Sequence, residues 1–294
     1  MAFRETVLVA GGPGTGKSTL LFQLAKQNPE QRVWFFDNER KARRIGRYFG
    51  GIPSNMVVLN TGNLTDAIRA LEDEVLPAVR GLPEGTDIIC IDMVDMWWDR
   101  AQQHYVQAVS DGEETLADRL TANVKEKIEK RDALIAQGRN VGGLAAGSSF
   151  EGFVEWPVIK SWHNQRLIEP IVYDTPCHVF ATAGVRELRN DPKSPMNDSA
   201  ERIALWTNFG GVALGEKGND YRFSTILGLS RVGVVKPEWR FTLVKDQSRV
   251  LGKQVPMLKD VKLEIDEDGV FDLWQEFASR IPGGVYELEA DDAA

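Results

Sequence analysis

The chain has 294 residues, of which 43 are Asp or Glu and 35 are Lys or Arg, giving a formal net charge of −8. This balance excludes a globally basic nucleic-acid-binding protein, although a local basic surface can still neutralise phosphates. Charge precedes the first apolar run and no run is long enough to cross a membrane, so we expect a cytoplasmic protein without membrane contact. Cys90 and Cys177 stand in apolar runs and are expected to be buried thiols rather than disulfide partners.

Strands and helices alternate through the first third of the chain. Three apolar runs predict buried core strands, at residues 6–10, 32–36 and 87–92, and a shorter run predicts a further strand at 56–59. Three stretches between them predict helices, at residues 17–27, 39–48 and 64–79. This alternation predicts an α/β fold with a mainly parallel sheet and helices on both of its faces.

Residues 99–173 interrupt this alternation and predict a helical insertion. A long amphipathic helix is indicated by apolar residues at every fourth position, namely Leu116, Leu120, Val124 and Ile128. Residues 137–149 are rich in Gly, Ala and Ser and predict a mobile loop. Residues 155–173 predict another helix, with Pro157 and Pro170 limiting its extent.

The last third of the chain is predicted to be rich in strands. A fourth core strand is expected at residues 177–182, followed by a polar loop at 186–201. Three later segments alternate as strands do and predict an antiparallel extension of the sheet, at residues 212–214, 222–227 and 239–244.

A phosphate-binding motif follows the first predicted strand and opens the first predicted helix. Residues 11–18 read GGPGTGKS and fit the pattern G-x-x-x-x-G-K-[ST]. The alternative is a glycine-rich turn at a helix start, but this segment both follows a buried strand and opens a helix, as the motif requires. The residues expected to surround the phosphates of ATP or GTP are Gly11, Gly12, Pro13, Gly14, Thr15, Gly16, Lys17, Ser18 and Thr19. Lys17 is expected to bridge the β- and γ-phosphates, Ser18 to bind Mg²⁺ and Thr19 to contact the α-phosphate.

An acidic residue ends the strand predicted at residues 87–92. Asp92 should therefore emerge at the carboxyl edge of the sheet, where open α/β folds bind their ligands. We expect it to hold Mg²⁺ through the water shell of the metal, as the second acidic element of P-loop enzymes does. A helix N-cap is the alternative for Asp92, and Asp95 and Asp99 are nearby competitors for the metal role.

Glu39 closes an acidic segment that directly follows the second predicted strand. The order of P-loop, helix, strand, Asp-x-Glu segment and strand ending in Asp resembles the ATPase core of the RecA/RadA superfamily. The resemblance implies that Glu39 is the general base that polarises the attacking water. A local alternative remains, in which Asp37 or Asn38 caps the next helix and Glu39 lies in its first turn.

The resemblance extends toward the C-terminus. Thr182 stands near the end of the fourth core strand, where the family has a polar sensor of the γ-phosphate, although the usual amide residue is absent. Lys245 and Arg249 are similar to a Lys-x-Arg cluster that reaches the ATP of a neighbouring subunit, with the arginine two residues farther along. Solvated charges that close a hairpin are the alternative for both.

Two segments, residues 158–162 and 244–246, are similar to phage-type RecA-like ATPases, which include recombination and single-strand-annealing proteins. The resemblance implies a homo-oligomer, either a ring or a filament, that acts on DNA and on single strands in particular. Two basic segments could contact the phosphate backbone. The first comprises Arg40, Lys41, Arg43, Arg44 and Arg47, which could equally be a solvated helix face, and the second comprises Arg186, Arg189, Lys193 and Arg202.

Together these features predict a RecA-like P-loop ATPase domain at residues 1–255, with its helical insertion at about 99–173. A C-terminal appendage is expected at 256–286 and a disordered acidic tail at 287–294. The predicted function is Mg²⁺-dependent ATP hydrolysis coupled to DNA recombination or replication. A small-molecule kinase and a nucleotide-dependent assembly or packaging factor are the alternatives; a kinase would require an arginine-rich lid that the sequence lacks.

Overall fold

The computed structural model describes residues 4–138, 154–191, 197–233, 238–246 and 261–263. Its strands are β1 (Thr6–Gly11), β2 (Val33–Asp37), β3 (Met56–Asn60), β4 (Ile88–Asp92), β5 (His178–Ala183), β6 (Val185–Glu187), β7 (Gly211–Ala213), β8 (Thr225–Val232), β9 (Glu238–Asp246) and β10 (Val261–Leu263). Eight of these described strands form one sheet in the order β10-β9-β8-β1-β5-β4-β2-β3. The predicted α/β class, with a mainly parallel sheet and an antiparallel extension, is confirmed.

The helices lie between the strands. They are α1 (Lys17–Gln27), α2 (Ala42–Gly46), α3 (Leu64–Arg69), α4 (Leu76–Val79), α5 (Val94–Val109), α6 (Leu116–Ala136), α7 (Glu155–Lys160), α8 (Ala200–Trp206) and α9 (Asn219–Arg222). Within the described residues, no helix is both long and apolar enough to cross a membrane.

The central strands are buried on both faces, which explains their nearly continuous apolar sequences. In β1, Leu8 and Ala10 pack into one core cluster, whereas Val7 and Val9 pack into the other. Helices α1 and α2 supply the cluster on one face of the sheet, and α3, α5 and α7 supply the larger cluster on the other. The β1 strand is thereby held rigidly at the centre of the sheet.

The antiparallel extension begins later in the chain than the sequence predicts. Strand β8 pairs in parallel with β1, so the parallel part of the sheet is one strand wider than expected. Among the described strands of this sheet, the antiparallel pairings are those of β9 with β8 and of β10 with β9. Residues 219–222 form α9 rather than the start of a strand. The segment predicted as a strand at 212–214 forms β7, which pairs with β6 in a separate two-stranded sheet.

The helical insertion is present, and its second half differs from the prediction. A single helical rod continues from α7 through two π-wound segments, Ser161–Ile168 and Pro170–Asp174, so Pro170 does not end it. Pro170 occupies the first position of the second π-wound segment. The loop predicted at 137–149 lies almost wholly outside the described residues, as do the predicted appendage and the acidic tail.

The topology brings the predicted site residues to one edge of the sheet. Strand β5 lies between β1 and β4, and the carboxyl ends of these parallel strands point the same way. Asp37 at the end of β2 is in register with Asp92 at the end of β4. The P-loop, Asp92 and the segment after β2 therefore share the edge at which α/β sheets bind ligands.

Candidate nucleotide-binding site

The P-loop joins the end of β1 to the start of α1, and its glycines allow its path. Gly14 and Gly16 have φ angles of +72° and +90°, in the left-handed region that side chains with a Cβ rarely adopt. Gly11 faces a different constraint, because a Cβ atom there would lie 2.7 Å from the carbonyl oxygen of Leu229 on β8. The loop therefore depends on glycine both for its turn and for its contact with the neighbouring strand.

Lys17 lies folded into the loop that precedes it. Its buried ammonium donates hydrogen bonds to the carbonyl oxygens of Gly11 and Gly12, at 2.7 and 2.8 Å. Burial lowers the pKa of Lys17, while the negative charges of Asp92, Asp95 and Glu39 act in the opposite direction. The ammonium is thus held inside the loop and faces the acidic residues of the neighbouring strand ends.

Asp92 ends β4 and is completely buried. The hydroxyl of Thr182 on β5 donates to its Oδ1 atom at 2.8 Å, whereas Oδ2 has no hydrogen-bond partner among the described residues. Burial raises the pKa of Asp92, and the nearby hydroxyls of Ser18 and Thr182 oppose that shift. A buried carboxylate oxygen without a partner is costly unless another group binds there.

These residues fit Mg²⁺, a hard cation that takes oxygen ligands and is usually bound by one or two carboxylates together with substrate phosphates. The hydroxyl of Ser18, at the start of α1, would supply a protein oxygen to the cation, and the open Oδ2 atom of Asp92 would hold the cation through its water shell. No group of three or more His, Cys, Asp or Glu suited to a metal occurs in the described part of the chain. A cation here would therefore depend on the phosphates for its remaining ligands.

Glu39 lies outside the helix in which the sequence predicts it. Helix α2 begins at Ala42, and the helix start is capped by Asp37, whose two carboxylate oxygens accept from the backbone N–H groups of Lys41 and Ala42 at 2.9 Å each. The capping role belongs to Asp37, so Glu39 is free of it. The Glu39 carboxylate instead forms an ion pair with Lys41, and its side chain remains 21% exposed.

Asp95 is the acidic residue at the site whose role sequence reasoning does not resolve. It lies in the first turn of α5, is buried, and its Oδ1 atom has no hydrogen-bond partner among the described residues. Burial raises its pKa to about 6, with a further contribution from Asp99, while a backbone hydrogen bond at Gly184 opposes the shift. Asp95 comes three residues after Asp92, across the junction of β4 and α5, and this nearness in the chain is the signal of its placement in the sequence.

The predicted γ-phosphate sensor, Thr182, is fully buried and donates to Asp92. Its contacts give it a positioning role toward the carboxylate. Lys245 has no free ammonium: its Nζ atom donates to the carbonyl oxygens of Asp220, Tyr221 and Phe223 at 2.9, 3.3 and 2.8 Å. The prediction that Lys245 reaches a neighbouring subunit is therefore not supported, because the end of α9 uses this charge. Arg249 lies outside the described residues.

Two of the arginines in the loop predicted to contact DNA, Arg186 and Arg202, are paired with acidic residues of the same chain. Arg186 binds Asp198 through its guanidinium, with one contact of 2.8 Å, and Arg202 binds Asp220 at 2.7 Å. Arg189 is exposed, and Lys193 lies outside the described residues. This part of the chain therefore offers far less free positive charge than its sequence indicates.

No protein-family model and no curated protein matches the sequence. Among solved structures, the RadB recombinase aligns with 91% of this chain and 90% of its own, at 16% identity and a TM-score of 0.40. The flagellar accessory protein FlaH from Methanocaldococcus jannaschii aligns with 93% of this chain and 91% of its own, at 8% identity and a TM-score of 0.39. The fold assignment rests on the strand order and the P-loop described above.

Proposed function

We propose that this protein is a Mg²⁺-dependent ATPase whose hydrolysis is coupled to DNA recombination or replication. The observation that carries the proposal is that the Lys17 ammonium of the P-loop lies near the buried Asp92 carboxylate, one of whose oxygens has no hydrogen-bond partner among the described residues. Lys17 and Asp92 stand at the carboxyl edge of the sheet on either side of β5. Burial lowers the pKa of Lys17 and raises the pKa of Asp92, and the negative charge of Asp92 opposes the shift of Lys17. A buried carboxylate with a purely structural role would have partners for both of its oxygens, whereas Oδ2 of Asp92 has none among the described residues.

Each residue has a part in this proposal. The P-loop amides and Lys17 would bind the phosphates, and the Lys17 ammonium would exchange its loop carbonyls for phosphate oxygens. Ser18 and Asp92 would hold Mg²⁺, which when bound neutralises charge that develops on the phosphates. Thr182 would keep the Asp92 carboxylate in place through its hydrogen bond. Glu39 would accept a proton from the attacking water.

The coupling to DNA and the homo-oligomeric state are extensions of the proposal from the resemblance to phage-type RecA-like ATPases, and a cytoplasmic location is part of the proposal on the sequence pattern alone. Lys245 is engaged within its own chain, so a cation offered to a neighbouring subunit would have to come from elsewhere, with Arg249 the remaining candidate.

ATP turnover with and without single-stranded DNA tests the proposal against its alternatives. We expect phosphate release that requires Mg²⁺ and rises when a poly(dT) oligonucleotide is added. Phosphate transfer to an added small molecule, without release to water, would indicate a kinase. Tight binding of a fluorescent ATP analogue without turnover under either condition would indicate an assembly factor that uses binding alone.

A further inference from the structure

The segment that follows Glu39 carries a dense group of cations. We use the name α2 basic surface for Arg40, Lys41, Arg43, Arg44 and Arg47, all of which are exposed. Arg43 and Arg47, four positions apart, lie on one face of α2 and of the turn that continues it, with Arg44 beside them, whereas Arg40 precedes the helix. The opposite face, with Ala42 and Ile45, packs into the core cluster beneath the sheet. The basic side chains therefore face solvent, while the other face of α2 is held by its packing against the core.

The four arginines of this surface have no ion pair among the described residues, where Lys41 alone of the five is paired. Elsewhere in the same protein arginines are engaged internally, as Arg186 and Arg202 are. These four guanidinium groups concentrate positive charge on one short segment of a chain whose net charge is −8. Such a cluster suits a polymer of phosphates.

An aromatic ring at the end of the same segment favours a nucleic acid with unpaired bases. Tyr48 is 82% exposed, and it directly follows Arg47. Its neighbour Phe49 is anchored, with its ring stacked on Phe22 at a centroid distance of 5.9 Å. Exposed aromatic rings beside cations provide stacking platforms for single-stranded bases, which a duplex keeps inside its own stack.

This surface is joined to the candidate general base by one ion pair. Lys41 belongs to the α2 basic surface, and its ammonium binds the Glu39 carboxylate. Between the two residues, Arg40 has a φ angle of +56°, in the left-handed region. The hydrogen bonds of Asp37 to the N–H groups of Lys41 and Ala42 stabilise this turn. While it is held in this ion pair, the Glu39 carboxylate is engaged by Lys41 and is not free to contact an attacking water.

We propose that single-stranded nucleic acid binds the α2 basic surface and draws Lys41 away from Glu39, which frees the carboxylate for ATP hydrolysis. This inference rests on the proposed function and adds to it a partner surface and a means of regulation. The side chain of Lys41 is 46% exposed, so that a phosphate can reach it. Exposed ion pairs of this kind are weak, and a competing polyanion can therefore displace the pair.

The surface is tested with the triple variant Arg43→Gln/Arg44→Gln/Arg47→Gln, which leaves Glu39 and Lys41 in place. We expect it to lose most of its affinity for labelled poly(dT), with the slope of log affinity against log salt reduced by about 2, since each phosphate contact on a single strand contributes about 0.7. Its ATP turnover without DNA should equal that of the wild type. A matched control, Arg80→Gln/Lys125→Gln/Lys130→Gln, removes the same exposed charge elsewhere and should keep both affinity and slope.

The ion pair between Lys41 and Glu39, which we call the latch, is tested with Lys41→Gln. We expect its turnover without DNA to rise by up to about fivefold, the factor that corresponds to an exposed ion pair, and poly(dT) to add little more. Lys41→Arg keeps the ion pair and should retain the low basal rate. Lys41→Gln/Glu39→Gln should be inactive with and without poly(dT), which would show that the higher rate passes through Glu39. A loss of structure would lower the rate rather than raise it.

Several results would overturn the inference. Wild-type affinity for poly(dT) in the arginine triple variant would refute the surface, and an unchanged basal rate in Lys41→Gln would refute the latch. Equal binding of duplex DNA would refute the preference for unpaired bases, and binding of phosphatidylserine vesicles instead of poly(dT) would identify a membrane as the partner. A wild-type protein without any ATP turnover would refute the proposed function and the latch, while the poly(dT) affinities would still decide the surface.

Discussion

Replacement of Asp95 by Asn should stabilise the nucleotide-free protein at neutral pH and less so in acid. Asp95 is buried between Gly184 and Gly215: a Cβ atom at Gly184 would lie 3.1 Å from its Oδ2 atom, and one at Gly215 would lie 3.1 Å from its Cα atom. The Asp95 side chain therefore cannot move out into solvent without displacing the neighbouring backbone. Asn has nearly the same size as Asp and carries no charge, so that the change removes the cost of burying a carboxylate without opening a cavity.

The size of the effect follows from the pKa of Asp95. Burial raises that pKa from 3.8 to about 6, so the folded protein binds the proton more tightly than the unfolded chain does. The stability that this proton provides is fully present below the unfolded pKa and is lost as the pH rises through the folded pKa. A difference of about two units corresponds to about 3 kcal/mol. The free energy of unfolding of the variant should exceed that of the wild type by little at about pH 4 and by this full amount at about pH 8.

Urea unfolding of both proteins across this pH range measures the difference directly. The difference between the two free energies of unfolding cancels the titration of every other group, which leaves the contribution of Asp95. Asp73→Asn, which changes an exposed acid, is the matched control and should show a difference close to zero at each pH. A difference between Asp95→Asn and the wild type that does not change with pH would refute the reasoning, because Asp95 would then titrate alike in both states.

Three further changes test individual contacts. Thr182→Val removes the hydroxyl that donates to Asp92, so the pKa of Asp92 should rise further and the acid limb of the pH–rate profile should move to higher pH; an unmoved limb would remove the positioning role. Glu39→Gln should keep the affinity for a fluorescent ATP analogue and lose turnover, and equal turnover would shift the base role to another acid. Lys245→Met leaves three carbonyls without their donor and should lower the free energy of unfolding by about 1–3 kcal/mol, whereas an unchanged stability would mean that water replaces the ammonium fully.

The parts of the fold that local sequence determines could be predicted. The P-loop is a contiguous motif whose glycines meet backbone constraints within a few residues of each other, and Gly14 and Gly16 have the positive φ angles it requires. The apolar strands β1, β2 and β4 were predictable for a similar reason, since strands buried on both faces read as continuous apolar runs. Asp92 then follows from its place at the end of such a strand.

Features that depend on distant partners were not readable from the sequence. The parallel pairing of β8 with β1 joins segments more than 200 residues apart, and nothing in the alternation of β8 distinguishes it from an antiparallel strand. The same limit applies to charge: Lys245 and Arg202 read as free cations, yet carbonyls and acids elsewhere in the chain bind them. The Glu39–Lys41 pair is local, but its formation depends on Asp37 capping the helix in place of Glu39.

The most direct test of the proposed ATPase is the rate of phosphate release from Mg²⁺-ATP by Lys17→Ala, compared with the wild type at equal protein concentration. Circular dichroism would first establish that both proteins are folded. If Lys17 binds the phosphates as proposed, the rate should fall by at least about a hundredfold, the loss that follows removal of one group that stabilises developing charge. A variant that releases phosphate at the wild-type rate would contradict the account, because hydrolysis would then take place away from the P-loop.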